Sequence, residues 1–225
     1  MRAAYWKLRE LDPRRYVWQL RRAVLLVRLR LLATWLHATL EVDIAPDVRL
    51  GRGLRVEIDP DTRNVLRVGT GTVIGDRVHL ILRGGAILLG PRVQVRKDST
   101  LNVAGRLEMG ESSVFGYGCT IHCAESIVLE PLAGCAEQVT LADSSHYFTE
   151  PDEWFYDNVR TAPIHIGANT WLCPKVTVTS GVTIGSHAIV GANSVVHKDV
   201  PSGHLASGVP AMHHRPLDLP WRRTA

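Results

Sequence analysis

The fold of this chain is decided by residues 166–200, which read IGANTWLCPKVTVTSGVTIGSHAIVGANSVVHKDV. Apolar residues recur at every sixth position of this stretch, at Ile166, Leu172, Val178, Ile184, Val190 and Val196. A period of six fits neither the two-residue period of a simple strand nor the 3.6-residue period of a helix. It is typical of a short strand followed by a turn. The stretch therefore predicts a solenoid in which each six-residue unit forms one side of a coil.

The same unit can be followed upstream to residue 44, in groups of three that each complete one coil. The seven coils are predicted to start at Ile44, Val68, Leu89, Met109, Leu129, Ile166 and Ile184. The interval before the sixth start is 37 residues, against 18 to 24 for the others, so a loop at residues 147–165 is inserted directly after His146. We predict an all-β solenoid over residues 44–200, a triangular prism with an apolar interior. Six residues leave no room for a crossover helix, which excludes a doubly wound sheet and a helical bundle.

Residues 1–43 are predicted to form a separate N-terminal arm. Residues 1–40 contain nine Lys or Arg and two acidic residues, a net charge of +7, whereas the remainder carries 17 basic and 20 acidic residues, a net charge of −3. Arginines recur at Arg14, Arg21 and Arg28. Apolar residues share another face at helical spacing, namely Leu20, Val24, Val27, Leu31 and Trp35. This pattern predicts an amphipathic helix within residues 5–40.

Two interpretations of the arm remain open. The helix can cap the open end of the first coil, or it can make peripheral contact with an anionic membrane surface, which attracts aromatic and basic side chains. The slightly acidic body argues against a nucleic-acid partner, because such proteins usually present basic surfaces of their own.

The four cysteines indicate a cytoplasmic protein with reduced thiols. Cys119, Cys123, Cys135 and Cys173 have no spacing typical of a zinc site, and no secretory signal precedes them. The apolar stretch at residues 23–36 is too short to span a bilayer and is interrupted by Arg28 and Arg30. We expect a cytoplasmic location, with the inner face of the membrane as the alternative if the arm binds lipid.

Several strings of residues 129–215 resemble the hexapeptide-repeat acyltransferases. These strings are Ile166–Trp171 (IGANTW), Gly181–Gly185 (GVTIG), Val190–Val196 (VGANSVV), Lys198–Pro201 (KDVP) and Gly208–Ala211 (GVPA). The Asp-Ser-Ser-His run at residues 143–146 and the loop after it are most similar to the sugar O-acetyltransferases of that family. The resemblance implies a left-handed parallel β-helix, a homotrimer, and acetyl-CoA sites between adjacent prisms.

The resemblance also assigns roles to individual residues. Acyl transfer to a sugar hydroxyl needs a base that takes the hydroxyl proton, and the matching position is His146. Asp143 or Glu137 are candidates for orienting the His146 ring. The coenzyme A contacts of the family fall on Pro174, Ala192, His197, Lys198 and Arg215. The tail, residues 201–225, is expected to fold back near this cofactor site.

The sequence departs from the family pattern at Cys173 and Pro174, and upstream at residues 116–118. Cys173 replaces the glycine that usually follows Trp-Leu. Pro174 stands where the family commonly offers a backbone N–H to the thioester oxygen, and proline has none. Residues 116–118, Gly-Tyr-Gly, stand where sugar acetyltransferases often place an asparagine that binds the acceptor.

We predict an acetyl-CoA-dependent O-acetyltransferase of a sugar, polysaccharide or glycolipid, with no metal. The alternatives are a non-catalytic scaffold, an N-acyltransferase acting on an amino sugar, and a zinc carbonic anhydrase, which needs three converging histidines. His122, His146 and His165 do not have the spacing of that zinc site. The loop aromatics Trp154, Phe155 and Tyr156 are predicted either to shape the acceptor site or to pack against a neighbouring subunit.

Overall fold

Three parallel sheets wind into a triangular solenoid in the computed structural model, which describes residues 15–154, 156 and 158–218. Sheet A contains Thr39–Ile44, Arg63–Val68, Ala86–Leu89, Arg106–Met109, Ser126–Leu129, Ile164–Ile166 and Thr183–Ile184. Sheet B contains Arg49–Leu50, Val73–Ile74, Gln94–Val95, Val114–Phe115, Gly134–Cys135, Trp171–Leu172, Ile189–Val190, His204–Gly208 and Ala211–Pro216. Sheet C contains Arg55–Ile58, His79–Leu82, Thr100–Val103, Thr120–Cys123, Thr140–Ala142, Thr177–Val178 and Val195–Val196. Each coil contributes one strand to each sheet.

The pairing of strands confirms the six-residue repeat. The predicted coil starts are stacked directly above one another on sheet A, as Ile44, Val68, Leu89, Met109, Leu129, Ile166 and Ile184. A second ladder runs from Leu50 to Val190 on sheet B, and a third runs from Val56 to Val196 on sheet C. The chain is therefore an all-β solenoid of about seven coils, as predicted. The left-handed sense stays a prediction from the resemblance.

The apolar interior is built from the inward side chains of these ladders. Phe115, Ile121 and Leu129, from three successive sides, have no solvent exposure. The corners between sheets turn through residues with positive φ, such as Asn169 at 54° and Asn193 at 58°. Asparagine adopts this left-handed conformation more readily than most residues, so the Gly-Ala-Asn strings suit the corners.

The N-terminal helix, Arg15–Trp35, lies across the open end of the first coil. It contacts the first strands of all three sheets, and Leu29 is buried there with 1% exposure. Arg21 Nη1 donates to the carbonyl oxygen of Leu50 and Arg22 Nε to that of Ile44, both at 2.9 Å. The helix thus caps the solenoid. Sheet A already begins at Thr39, five residues before the predicted boundary, and residues 5–14 of the predicted helix lie outside the described residues.

The tail continues sheet B beyond the seventh coil. His204–Gly208 pairs in parallel with Ile189–Val190, and Ala211–Pro216 then returns antiparallel to it, with Arg215 opposite Leu205. The part of the predicted tail at residues 219–225 lies outside the described residues.

All four cysteines lie within the described residues, and each is unpaired. Burial raises the pKa of the Cys119 thiol to about 11 and that of Cys123 to about 12. Burial raises the pKa of Cys135 well above its usual value as well, and Cys135 is 1% exposed. These thiols are core side chains held in their protonated form.

We expect Cys119, Cys123 and Cys135 to resist alkylation in the folded protein at about pH 8, because the thiolate is the reactive form and burial disfavours it. The check is mass spectrometry of protein treated with iodoacetamide, with and without denaturant. Unfolding should expose all three thiols to the reagent. Full modification of Cys119 without unfolding would contradict the buried positions.

Candidate functional site

One hairpin interrupts the solenoid, between the fifth and sixth coils. Its strands, Ser144–His146 and Val159–Thr161, pair antiparallel with His146 opposite Val159. The chain leaves sheet C after Ala142 and re-enters sheet A at Ile164, so the hairpin projects from the edge between these two sheets. We call this edge the A–C edge; it also includes residues 123–125, 179–182 and 197–199 of other coils. His165, expected in the loop, lies in a strand of sheet A.

A buried carboxylate anchors the base of the hairpin. Asp143 has no solvent exposure, and its side chain accepts three backbone N–H groups of the coil below. Ala124 N donates to Oδ1 at 2.7 Å, while Glu125 N and Ser126 N donate to Oδ2 at 2.9 and 2.8 Å. Such charge-assisted bonds are among the stronger ones in proteins. Asp143 therefore holds the backbone where the hairpin departs. Its predicted role in orienting the His146 ring stays a prediction. Glu137, the other candidate, lies across sheet C from the hairpin.

His146 stands exposed on the hairpin beside aromatic rings. Its ring centroid lies 5.4 Å from that of Tyr156, edge to face at 75°, and the Tyr156 ring lies 4.7 Å from that of Trp154. Trp154 and Tyr156 are 62% and 58% exposed. Phe155, the third predicted aromatic, lies outside the described residues. An imidazole next to solvent-facing aromatic faces is an arrangement suited to a sugar, whose apolar C–H face stacks on such rings.

The tip of the hairpin is held by Glu153. Thr149 donates to its carboxylate from both backbone N and Oγ1, each at 2.6 Å, and Glu150 N donates at 3.1 Å. The Thr149 hydroxyl, followed by backbone donors, lowers the pKa of Glu153 to about 2. The carboxylate is thus ionised throughout the neutral and mildly acidic range, which keeps this turn in one shape.

The predicted cofactor residues divide between two edges of sheet C. Pro174 and Ala192 lie one coil apart at the edge between sheets B and C, where Asn193 N donates to the Pro174 carbonyl oxygen at 3.0 Å. His197 and Lys198 lie exposed at the A–C edge, two coils from the hairpin. Because neighbouring coils are about 4.8 Å apart, this separation is roughly 10 Å along the axis. Both pairs flank the same sheet.

Arg215 does not lie beside Lys198. It is exposed in the antiparallel strand of sheet B, opposite Leu205. The tail extends sheet B, and Lys198 is at the A–C edge on the far side of sheet C. Within one chain the two cations therefore lie on different faces of the solenoid.

The edge between sheets B and C carries a group that sequence reasoning missed. The Arg96 guanidinium carbon and the Lys97 Nζ lie 5.1 and 5.5 Å from the ring centroid of Tyr117, which is 42% exposed. Tyr117 belongs to the Gly-Tyr-Gly string. Arg96 and Lys97 precede Tyr117 by about twenty residues, which is the length of one coil. This spacing could have indicated that the three side chains lie on neighbouring coils.

Two further observations bear on the chemistry. The Ala192 backbone N–H has no acceptor among the described residues, whereas Cys173 N donates to Val190 O at 2.9 Å. Within residues 15–154, 156 and 158–218, no three His, Cys, Asp or Glu side chains are grouped so that they could share a metal ion. His165 instead lies 3.0 Å from Glu130 Oε1 through its Nε2.

Comparison with known proteins finds a matching family model and several acetyltransferase relatives. Residues 163–198 match the family described as "Bacterial transferase hexapeptide (six repeats)". A probable acetyltransferase of Mycobacterium tuberculosis is 26% identical over 179 residues, covering 79% of this chain and 53% of the relative. The galactoside O-acetyltransferase of Escherichia coli is 48% identical over 48 residues, covering 21% of this chain and 24% of the relative. This chain therefore spans about half, or less, of the length of these relatives.

A solved structure extends the likeness to the fold. The crystal structure of a polysialic acid O-acetyltransferase matches with a TM-score of 0.55 at 16% identity, covering 81% of this chain and 86% of that one. At that identity the match concerns the solenoid architecture alone.

Proposed function

We propose that the chain is a hexapeptide-repeat transferase, as the match of residues 163–198 suggests, and that it is an acetyl-CoA-dependent O-acetyltransferase acting on a hydroxyl of a sugar, polysaccharide or glycolipid. The observation that carries the proposal is the hairpin that interrupts the solenoid and presents His146 beside exposed aromatic rings. A purely structural solenoid needs no such insertion.

His146 is the proposed general base. A sugar hydroxyl is a weak nucleophile until its proton is removed, and imidazole can accept a proton near neutral pH. His146 takes the hydroxyl proton as the oxygen attacks the thioester carbon. It then returns a proton to the sulfur as the carbon–sulfur bond breaks, so the base is regenerated. Trp154 and Tyr156 would hold the sugar face against it.

The residues present fit coenzyme A in part. Ala192 is small and exposed, so a pantetheine arm can approach the coil closely, and its N–H offers the donor that Pro174 lacks. Lys198 and Arg215 are exposed cations suited to phosphates, and coenzyme A carries its diphosphate and its 3′-phosphate at separate places. Because the two cations lie on different faces, we assign them to different phosphate groups. When bound, acetyl-CoA supplies the activated acetyl group.

We propose a homotrimer, because the site is incomplete within one chain. Pro174 and Ala192 lie at one edge of sheet C, while His146 and Lys198 lie at the other. Prisms packed side by side would bring the B–C edge of one chain against the A–C edge of the next.

We also propose a cytoplasmic location, where unpaired thiols such as those of this chain are stable.

The function is tested by incubating the purified protein with acetyl-CoA and a panel of glycans, lipid-linked glycans and amino sugars, and by following the mass gain of one acetyl group. Mild alkali removes an O-acetyl ester and leaves an N-acetyl amide, so the same product distinguishes the two reactions. A protein that binds neither acetyl-CoA nor any acceptor would support the scaffold instead. Stoichiometric zinc in the purified protein would support the carbonic anhydrase.

We expect Lys198→Ala and Arg215→Ala each to raise the KM for acetyl-CoA about 5–30-fold with little change in kcat, because one exposed phosphate contact contributes about 1–2 kcal/mol. Steady-state kinetics at low and high salt measure this, and the effect should shrink as salt screens the charges. Arg63→Ala, which removes an exposed cation from the second coil, is the matched control. Unchanged KM values in both site variants would place the cofactor elsewhere.

A further inference from the structure

The N-terminal helix leaves an apolar stripe facing away from the solenoid. Its side chains follow each other three or four positions apart along one face: Tyr16, Leu20, Val24, Val27, Leu31 and Trp35. Leu31 is 66% exposed and Trp35 is 76% exposed. The sequence predicted this stripe as the apolar face of the helix. The face that caps the first coil is a different one, formed around Leu29 and Ala33.

The charges of the helix are all positive. Residues 15–35 contain Arg15, Arg21, Arg22, Arg28 and Arg30 and no acidic residue. Arg21 and Arg22 are bound to carbonyl groups of the first coil. Arg28 and Arg30 are exposed, and at 3.6 residues per turn they lie on opposite sides of the apolar stripe. The stripe is therefore bordered by a cation along each long edge.

The apolar surface continues from the helix onto the first coil. Two neighbouring grooves of about 360 and 350 Å³ separate the helix from residues 50–56, and their walls include Leu25, Leu54 and Arg28. Because the helix crosses the end of the solenoid, this surface is the outermost one at that end among residues 15–154, 156 and 158–218. Within that part of the chain, the surface can lie flat against a planar partner.

We propose that the outer face of this helix docks on the surface of an anionic phospholipid bilayer, with the helix parallel to the membrane plane. Apolar side chains enter the boundary between headgroups and acyl chains, Arg28 and Arg30 contact lipid phosphates, and Trp35 lies at the depth that tryptophan prefers. Residues 15–154, 156 and 158–218 contain no helix that could span a bilayer. A second copy fits this face less well, because two such helices would bring arginines together without an acidic partner.

The test is co-sedimentation of the full chain with vesicles of phosphatidylcholine alone and of phosphatidylcholine with about one quarter phosphatidylglycerol. We expect binding to the anionic vesicles that weakens as salt is raised. The double variant Leu20→Glu and Leu31→Glu should reduce the partition coefficient about 30-fold or more, because it places two carboxylates in the inserted face. Arg28→Gln with Arg30→Gln should reduce it about 10–30-fold at low salt.

Leu132→Glu is the matched control, because it adds a carboxylate at an exposed leucine of a distant corner, 52% exposed. It should bind vesicles as the parent protein does. Since the substituted leucines of the stripe are exposed, circular dichroism and thermal unfolding should show that the variants fold. Unchanged vesicle binding by the Leu20 and Leu31 double variant would overturn the proposal. The proposal would also be overturned if the parent protein bound no lipid and the double variant formed fewer oligomers than the parent in sedimentation velocity. That result would assign the stripe to contact with a second copy.

Discussion

His146→Ala should reduce the turnover of acetyl transfer by about 10²–10⁴-fold, the usual contribution of a general base. The loss should appear in kcat, because the base acts on the acceptor proton in the transition state. The dissociation constant for acetyl-CoA should remain within about twofold of the parent value. Steady-state kinetics give the first quantity, and isothermal titration calorimetry gives the second.

The matched control is His79→Ala, which removes a histidine from sheet C of the second coil, three coils from the hairpin. The two variants together distinguish a catalytic role from a general effect of losing an imidazole. His146 is exposed on the hairpin, so its removal leaves the apolar ladders intact and the solenoid should unfold as the parent does. If His146→Ala retained near-parental turnover, another group would have to be the base, and the proposed mechanism would be wrong.

Asp143→Ala should lower the free energy of unfolding by about 3–5 kcal/mol, because it leaves three backbone N–H groups without an acceptor. The carboxylate is fully buried and bonds to Ala124, Glu125 and Ser126. Asp143→Asn keeps one acceptor oxygen and should cost less, about 1–3 kcal/mol. Urea denaturation at one fixed protein concentration gives these differences, since a proposed oligomer makes stability depend on concentration.

Asp199 provides the comparison within the same chain. It also lies at the A–C edge, but it is exposed and accepts one backbone bond from the described residues, from Thr183 N at 2.7 Å. Asp199→Ala should cost about 1 kcal/mol or less. Equal losses in the two alanine variants would show that the buried network of Asp143 contributes no more than one exposed bond. Because Asp143 sits at the base of the hairpin, its alanine variant should also lose activity through displacement of His146.

The repeat made the solenoid predictable in detail. A residue that recurs every sixth position must point to the same side of every coil, so Ile166 and Ile184 could be assigned to one ladder before any pairing was known. The interior demands apolar side chains at each inward position, and the long interval before Ile166 therefore had to be an insertion. His146 could be located next to it for the same reason, and its chemical assignment came from resemblance.

The structure of the hairpin could not be predicted from the six-residue repeat. Its strand pairing and the edge-to-face contact between Tyr156 and His146 depend on residues about ten positions apart that follow no repeat. In the sequence, Asp143 was one candidate for orienting the His146 ring. It became a buried anchor because the coil beneath supplies three N–H groups, and a sequence does not show which backbone groups lack acceptors.

What the sequence by itself determined is the ladder architecture, the position of the insertion and the presence of a basic amphipathic helix, since each follows from local periodicity. Only the tertiary structure decided which face of that helix covers the solenoid and that Lys198 and Arg215 lie apart. The sequence pointed to the apolar face that contains Leu31, but the helix is apolar on two sides, and the first coil covers the face that contains Leu29. The direction of the tail was likewise open, because a strand can extend whichever sheet presents an unpaired edge. Pairing with Ile189–Val190 carried Arg215 onto sheet B.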